Sequence, residues 1–356
     1  MIVNSARSVS EALAQGLHNI RVNGVVQPSR VGDVLVSPQP VMTVYSHPSN
    51  RVLFSHMRDA NPFFHFLESL WMLAGRNDLP WLIQFNKKMG SYSDDGGKTQ
   101  PGAYGFRWRE YFGYDQLETI IIELKHNPKT RRCVLSMWDP SQEGDLFNAI
   151  AGSADVPCNT HIYFDTVDER LNMTVCCRSN DLLWGAHGAN AVHFSFLLEY
   201  IAAKVGMPMG VLRQFSNNYH IYTNIVPVEM MMPMARDVEA TDLYIKGGYA
   251  ERKLVPVSPK IPMFSLNSPS AWEDDLHAFL SQEEGYTYGH EFFGVVAQPM
   301  WRAWHLHKER NYEEALYQCE CIRAKDWQTA CHEWITRRKI KYEINKVPFT
   351  EIAKEV

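Results

Sequence analysis

Apolar residues recur along this chain in two rhythms that predict different elements. PFFHFLESLWMLAG, residues 62–75, is almost wholly apolar, opens on proline and closes on glycine, the punctuation of a buried helix. ANAVHFSFLLEYIAAKVG carries Phe194, Leu197, Ile201 and Val205 at helical spacing and is closed by Gly206. DQLETIIIELKHNPKTRR predicts a helix ended by Pro128. Short β-like runs predict strands: VVQPSRVGDVLV, PVMTVYSH and NRVLFSHM within residues 1–60, then CVLSMWDP, then CNTHIYFDTV and RLNMTVCCRS, turned at Asp168 and Glu169. Phe85 to Gly105 is polar and glycine-rich and predicts a long surface loop, and SQEGDLFNAIAGSAD a second. After about residue 235 the proline-rich stretch VPVSPKIPMFSLNSP gives way to helices between about 272 and 343.

Composition narrows the class. With 45% hydrophobic and 12% aromatic residues in 356, the chain is of ordinary globular make-up. A net charge of -5 leaves no basic excess for gripping polymeric nucleic acid, although a local arginine cluster could still hold a small anion. No apolar run approaches the ~18–20 residues of a membrane helix, and MIVNSARSVSEALAQ lacks a signal-peptide core. A cytoplasmic protein, or one of the host cytoplasm if viral, is expected. Seven cysteines, an odd number without regular spacing, predict free thiols.

One thiol stands out. Cys158 and Arg178 lie twenty positions apart across the predicted strand pair, so a hairpin would aim a nucleophile and a cation into one region. A cysteine attacks as thiolate, and a neighbouring cation lowers its pKa. The alternative is a buried cysteine acting as a small hydrophobe. Arg131 and Arg132 are further cations, and Arg30 is either an anion ligand or a loop arginine. Glu68 lies among Phe64, Trp71 and Met72 at helical spacing, which places its carboxylate in an apolar wall suited to proton relay, or else on an exposed strip of the same helix. Cys319, Cys321, Cys331 and His332 make a poor zinc set, because side chains two apart on a helix diverge, and no metal is expected.

With these residues in place the chain resembles the thymidylate synthase superfamily, the folate-dependent enzymes that build a one-carbon unit onto C5 of a pyrimidine nucleotide. The resemblance runs over about residues 28–225 through SRVGDV, ESLWMLAG, AYGFRWRE, DQ with NPKTRR, VLSMWDP, PCN, RSND and NNYHIYTN. It implies an α/β layered fold, a large mixed sheet flanked by helices, with residues 1–240 as catalytic core and 241–356 as an added helical region. It implies Cys158 as the nucleophile toward C6, Glu68 as proton relay and Tyr104 beside the thiol. Arg30, Arg178 and Ser179 would hold the 5′-phosphate of a pyrimidine nucleoside monophosphate, with Arg131 and Arg132 donated across a homodimer. His220 and Tyr222 would bind the sugar, and Asp181 and Trp71 the cofactor, 5,10-methylenetetrahydrofolate.

Departures from the family pattern bear on the outcome. Asn159 follows the nucleophile where methylating members usually carry histidine near O4 of uracil, and it is expected to serve both catalysis and base binding. Gly90 and Ser93 stand where those members place tryptophans against the folate, and Tyr163 where they have glutamine. RSND, with Asn180, looks like the viral deoxycytidylate hydroxymethylases. A wetter pocket favours water over hydride at the last step, so hydroxymethylation is expected ahead of methylation. The base-reading asparagine falls one place late, at Asn190 after Ala189, and His187 shares that loop. Cytosine is slightly favoured over uracil, and Asn218, where aspartate is usual, leaves the sugar open. The alternatives are a methyltransferase and an inactive nucleotide- or RNA-binding relative. The family's short apolar closing tail has no clear counterpart in FTEIAKEV, which ends on Val356.

Overall fold

The computed structural model describes residues 1–29, 31–143, 152–153, 155–244 and 269–346. Arg30, Val356, much of the second polar loop and most of the proline-rich stretch lie outside the described residues. The chain runs β1 (Ile2–Ala6), α1 (Val9–Asn23), β2 (Val25–Ser29), β3 (Gly32–Val36), β4 (Val41–Tyr45), α2 (Pro62–Leu73), α3 (Leu79–Leu82), α4 (Tyr104–Arg109), α5 (Gln116–His126) and β5 (Val134–Ser136). It continues through β6 (Asn159–Val167), β7 (Arg170–Asp181), α6 (Asn190–Val205), β8 (Met209–Tyr222), α7 (Met231–Thr241), α8 (Pro269–Ser281), α9 (Gln298–Lys308), α10 (Tyr312–Glu320) and α11 (Lys325–Lys346).

The sheet is ordered β1-β4-β8-β7-β6-β5, and the β2–β3 hairpin joins the far end of β8. The β1/β4 and β7/β8 pairs are parallel and the others antiparallel, which makes the mixed sheet expected of an α/β layered fold. One sheet face packs on α1 and α6, α6 packs on α2, and α2 packs on α8, α9 and α11. All twelve residues of α2 are therefore buried. Its N-cap is Asn61, which accepts the Phe64 N–H, and Gly75 beyond its end takes a φ of 72°. Phe66 shows why the last layer matters: its ring meets Phe196 of α6, Phe292 and Trp327 of α11 at 5.7, 5.7 and 5.2 Å.

Three expectations are corrected. The first sixty residues are not sheet alone, because Ser8 caps α1 by accepting the Glu11 N–H while Glu11 takes the Arg7 N–H. NRVLFSHM forms no strand; Val52, Leu53 and Phe54 are buried, and the Val52 N–H is bonded to Tyr244 Oη rather than to a neighbouring strand. Residues 85–105 are not one open loop. They hold a 3-10 turn, Lys87–Tyr92, and a compact turn in which Asp95 accepts the N–H groups of Lys98 and Thr99.

Phe66→Ala should cost about 3–5 kcal/mol, the range for deleting a buried aromatic side chain. Chemical denaturation checks this, and a loss below about 1 kcal/mol would mean that the C-terminal helices do not close over α2.

Candidate active site

The β6–β7 hairpin turns through Asp168 and Glu169, both with positive φ (50° and 57°), the tight two-residue turn whose twist matches paired strands. That turn sets a register from Val167↔Arg170 to His161↔Cys176; the register then shifts between Asn159 and His161, so that Asn159 pairs with Cys177. The extra residue is a β-bulge at Thr160, whose carbonyl accepts the N–H groups of both Met137 and Trp138. Past the bulge the Arg178 N–H donates to the Cys158 carbonyl at 2.9 Å, and Cys158 and Arg178 become cross-strand partners.

The side chains meet as the sequence reading expected. Arg178 Nη2 lies 3.9 Å from Cys158 Sγ, while Nε and Nη2 donate to the carbonyls of Pro157 and Val156 at 2.9 and 3.0 Å, which fixes the guanidinium plane. The electrostatics differ from a simple lowering. Burial pushes the thiol above its ordinary pKa, Arg178 pulls it down, and Asp155 adds a push upward. Arg131 and Arg132 are not among the charges acting on the thiol. They lie exposed after α5, beside a surface depression also lined by Glu123, His126 and Lys129.

Tyr104 is brought to the thiol: its hydroxyl oxygen accepts the Asn159 N–H at 3.4 Å and its ring stacks on Phe194. Burial and the nearby Cys158 hold its phenol well up. Asn159 is 1% exposed, and both its amide atoms are buried without a hydrogen-bond partner among the described residues. Buried amides are normally paired, so this one is suited to a ligand.

Asn180 and Asn190, the second expected to read the base, are joined in a chain of amides. Asn180 donates to Ser216 Oγ at 2.9 Å and accepts from Asn190 Nδ2 at 3.2 Å. The one-residue displacement of Asn190 is absorbed by a wide helical turn, Leu182–Ala189, whose backbone departs from helix at His187 and Gly188. His187 is fully buried, and its ring nitrogens are both engaged, facing Tyr45 Oη and Tyr219 Oη at 2.8 and 2.6 Å. Glu68 lies in the apolar wall, 7% exposed, with Oε2 3.1 Å from His193 Nε2.

The parallel β7/β8 register sets Ser179 beside Asn218, Asn180 beside Tyr219 and Asp181 beside His220. Asp181 Oδ1 accepts the N–H groups of Leu183 and Trp184 at 2.8 and 2.6 Å, and burial raises its carboxyl pKa. Burial lowers that of His220, which sits on Asn218 Oδ1 at 2.8 Å and packs edge-on to Tyr222. Trp71 is a correction: it is 1% exposed, with its indole N–H donating to Asp78 at 3.2 Å, so it offers a cofactor no face.

Three residues were missed. Trp184, 38% exposed, faces Tyr222 at 6.4 Å and carries Lys88 Nζ over its ring at 4.6 Å. Tyr92, 40% exposed at the end of the Lys87–Tyr92 turn, has its phenol raised by burial and by Asp155, Cys158, Tyr222 and Asp181, so it lies within electrostatic reach of those groups. The signal for Trp184 was a large aromatic beside glycine in WGAHGAN; Lys88 and Tyr92 had none, because their stretch read as loop.

Among the described residues no helix is long and apolar enough to cross a membrane, and no three His, Cys, Asp or Glu side chains cluster as metal ligands. The thymidylate synthase family model matches residues 14–251. The chain is 43% identical to the deoxyuridylate hydroxymethyltransferase of Pseudomonas phage M6 over 97% of both chains. It is 37% identical to the enzyme of that name from Bacillus phage SP01 over 52% of this chain and 49% of the other. With that of Delftia phage PhiW-14 it shares 29% over 61% of each.

Arg178→Ala removes the one charge among the described residues that favours the Cys158 thiolate, so the midpoint of its alkylation-rate profile against pH should move up and the rate near pH 8 should fall. Iodoacetamide labelling quantified on the Cys158 peptide measures this; an unchanged midpoint would show that the guanidinium does not tune the thiol.

Proposed function

The chain belongs to the thymidylate synthase family and is a one-carbon transferase, and from that premise we propose that it hydroxymethylates C5 of deoxyuridine 5′-monophosphate. The observation that carries the proposal is Cys158 Sγ beside Arg178 at 3.9 Å, in a chain matched end to end, C-terminal helices included, by an enzyme named for deoxyuridylate. Uracil is preferred to cytosine on that name and on Asn190, an amide where the cytosine-reading branch of the family carries a carboxylate.

In this reading Arg178, Ser179 and Arg30 grip the nucleotide phosphate, with Arg131 and Arg132 of the partner subunit completing the anion site. His220 and Tyr222 meet the sugar. Asn190, steadied by Asn180 and Ser216, presents an amide to N3 and O4, and Asn159 brings its unpaired amide to the same edge. The Cys158 thiol gives up its proton with help from Arg178, and its sulfur adds to C6, which makes C5 nucleophilic. Bound 5,10-methylenetetrahydrofolate would supply a one-carbon unit at the oxidation level of formaldehyde. The exposed Trp184 and Tyr92 with Lys88 fit a flat aromatic cofactor bearing carboxylates, and Asp181 would meet its pterin. After loss of both the C5 proton and tetrahydrofolate, the leaving group on the one-carbon unit, the nucleotide would carry an exocyclic methylene, and water adds to it before sulfur leaves C6.

Supporting a homodimer, the sheet face away from α6 exposes Val134 and Tyr163, cross-strand neighbours in one row, beside the half-buried Thr174 and Arg213. We take residues 241–356 as an addition to the core, whose described helices α8, α9 and α11 brace α2 from outside. Its α11 holds Asp59 through Arg337 and Arg338, and neighbouring Arg58 donates to the Leu183 carbonyl in the cofactor-side turn.

Incubation of the dimer, its state checked by sedimentation, with dUMP, dCMP or CMP and methylenetetrahydrofolate tests the proposal by nucleotide mass. A gain of CH2O on dUMP is expected; a gain of CH2, or reaction of dCMP alone, would overturn it, and a monomer would remove the shared anion site.

A further inference from the structure

Water capture needs a base, because the water must lose a proton as its oxygen bonds to the exocyclic carbon. The one acidic side chain inside α2 is Glu68, and it is not alone. His193 Nε2 lies 3.1 Å from Glu68 Oε2, within ion-pair reach, yet both atoms are buried and neither makes an aligned hydrogen bond among the described residues. His193 is 5% exposed. It follows Asn190 by three residues on α6, so the two share a helix face, with His193 one turn deeper than the base-reading amide. The pair thus lies behind Asn190, toward α2.

A second histidine stands near this pair. His65, one turn before Glu68 on α2, is held well below its ordinary pKa by burial and by the charges of Arg58 and His193, so it stays neutral near pH 7. His65 and Glu68 on α2, Arg58 on the preceding segment and His193 on α6 are thus the ionisable groups gathered here, and Glu68 and His193 are the two in direct contact. A carboxylate alone is a weak base near neutrality, with a reference pKa near 4.3, whereas an imidazole titrates near 6.5.

Resting on the hydroxymethylation reading, we propose that His193 is a positioning residue that acts through Glu68 to take up the proton of the attacking water. The water oxygen bonds to the exocyclic carbon while its O–H electrons stay on oxygen and the proton passes to Glu68, shared with His193 Nε2. The enone electrons move onto O4, return to re-form the ring double bond, and expel the Cys158 sulfur from C6 as thiolate. The proton held by Glu68 and His193 is then released to the thiolate or to solvent. No oxidant or reductant is required. Steps before water addition, including loss of the C5 proton, do not call on His193.

The test separates those stages. With dUMP tritiated at C5, tritium release reports events up to the exocyclic methylene, and mass analysis with added 2-mercaptoethanol reports whether water or thiol captures it. His193→Gln should keep tritium release within about threefold while hydroxymethyl product falls about 100-fold, the lower range for losing general acid–base assistance, and the thiol adduct should become the main product. Equal losses of tritium release and product, or no loss of product, would overturn the inference. His193→Asn, read by the same ratio, serves if the glutamine variant fails to fold. A wild-type enzyme that adds CH2 instead would overturn the hydroxymethylation reading itself, a result distinct from a His193 variant with uniform losses.

Discussion

The rest of the site hangs on one extra residue in a hairpin. The two-residue turn at Asp168 and Glu169 fixes a register that, left alone, would put Cys158 opposite Ser179. The bulge at Thr160 moves the pairing by one, sets Cys158 against Arg178, and lets a single guanidinium both tie down the carbonyls of residues 156 and 157 and reach the sulfur. Because a one-residue slip in a strand turns each side chain to the opposite face, the pairing is all-or-none. The same displacement leaves the Asn159 amide buried and unpaired.

A second helical layer gives that hairpin its chemistry. Glu68 can sit in an apolar wall because α2 is enclosed on both sides, by α6 and by the helices after residue 269. The wide turn before α6 serves a related end, since it takes up one residue and still delivers Asn190 to Asn180. Tyr45, His187 and Tyr219 hold that turn from beneath. Burial therefore fixes geometry and also sets the protonation problem, since it pushes the Cys158 thiol and the Asp181 carboxyl up together.

Elements with a strong local signature were legible in the sequence. The proline-to-glycine frame of α2, the Gly206 stop of α6 and the Asp168–Glu169 turn each reflect a backbone preference that needs no tertiary context. The pairing of Cys158 with Arg178 was legible through strand alternation, although its dependence on a bulge was not. What escaped was set by distant partners. NRVLFSHM reads as a strand but is buried without one, and Trp71 reads as a cofactor contact but spends its N–H on Asp78. The Ser8–Glu11 cap of α1 was written in the sequence and overlooked, whereas the contact of Glu68 with His193 joins helices far apart in the chain.

The central claim is that the Cys158 sulfur bonds to pyrimidine C6 while Arg178 stands beside it. The most direct measurement is intact-protein and peptide mass after incubation with 5-fluoro-dUMP and methylenetetrahydrofolate, since fluorine cannot leave C5 as a proton does and the adduct is trapped. The account expects one nucleotide and one cofactor added per site, on the peptide bearing Cys158, and none in Cys158→Ser. An adduct on another cysteine, or no adduct from a folded dimer, would contradict it.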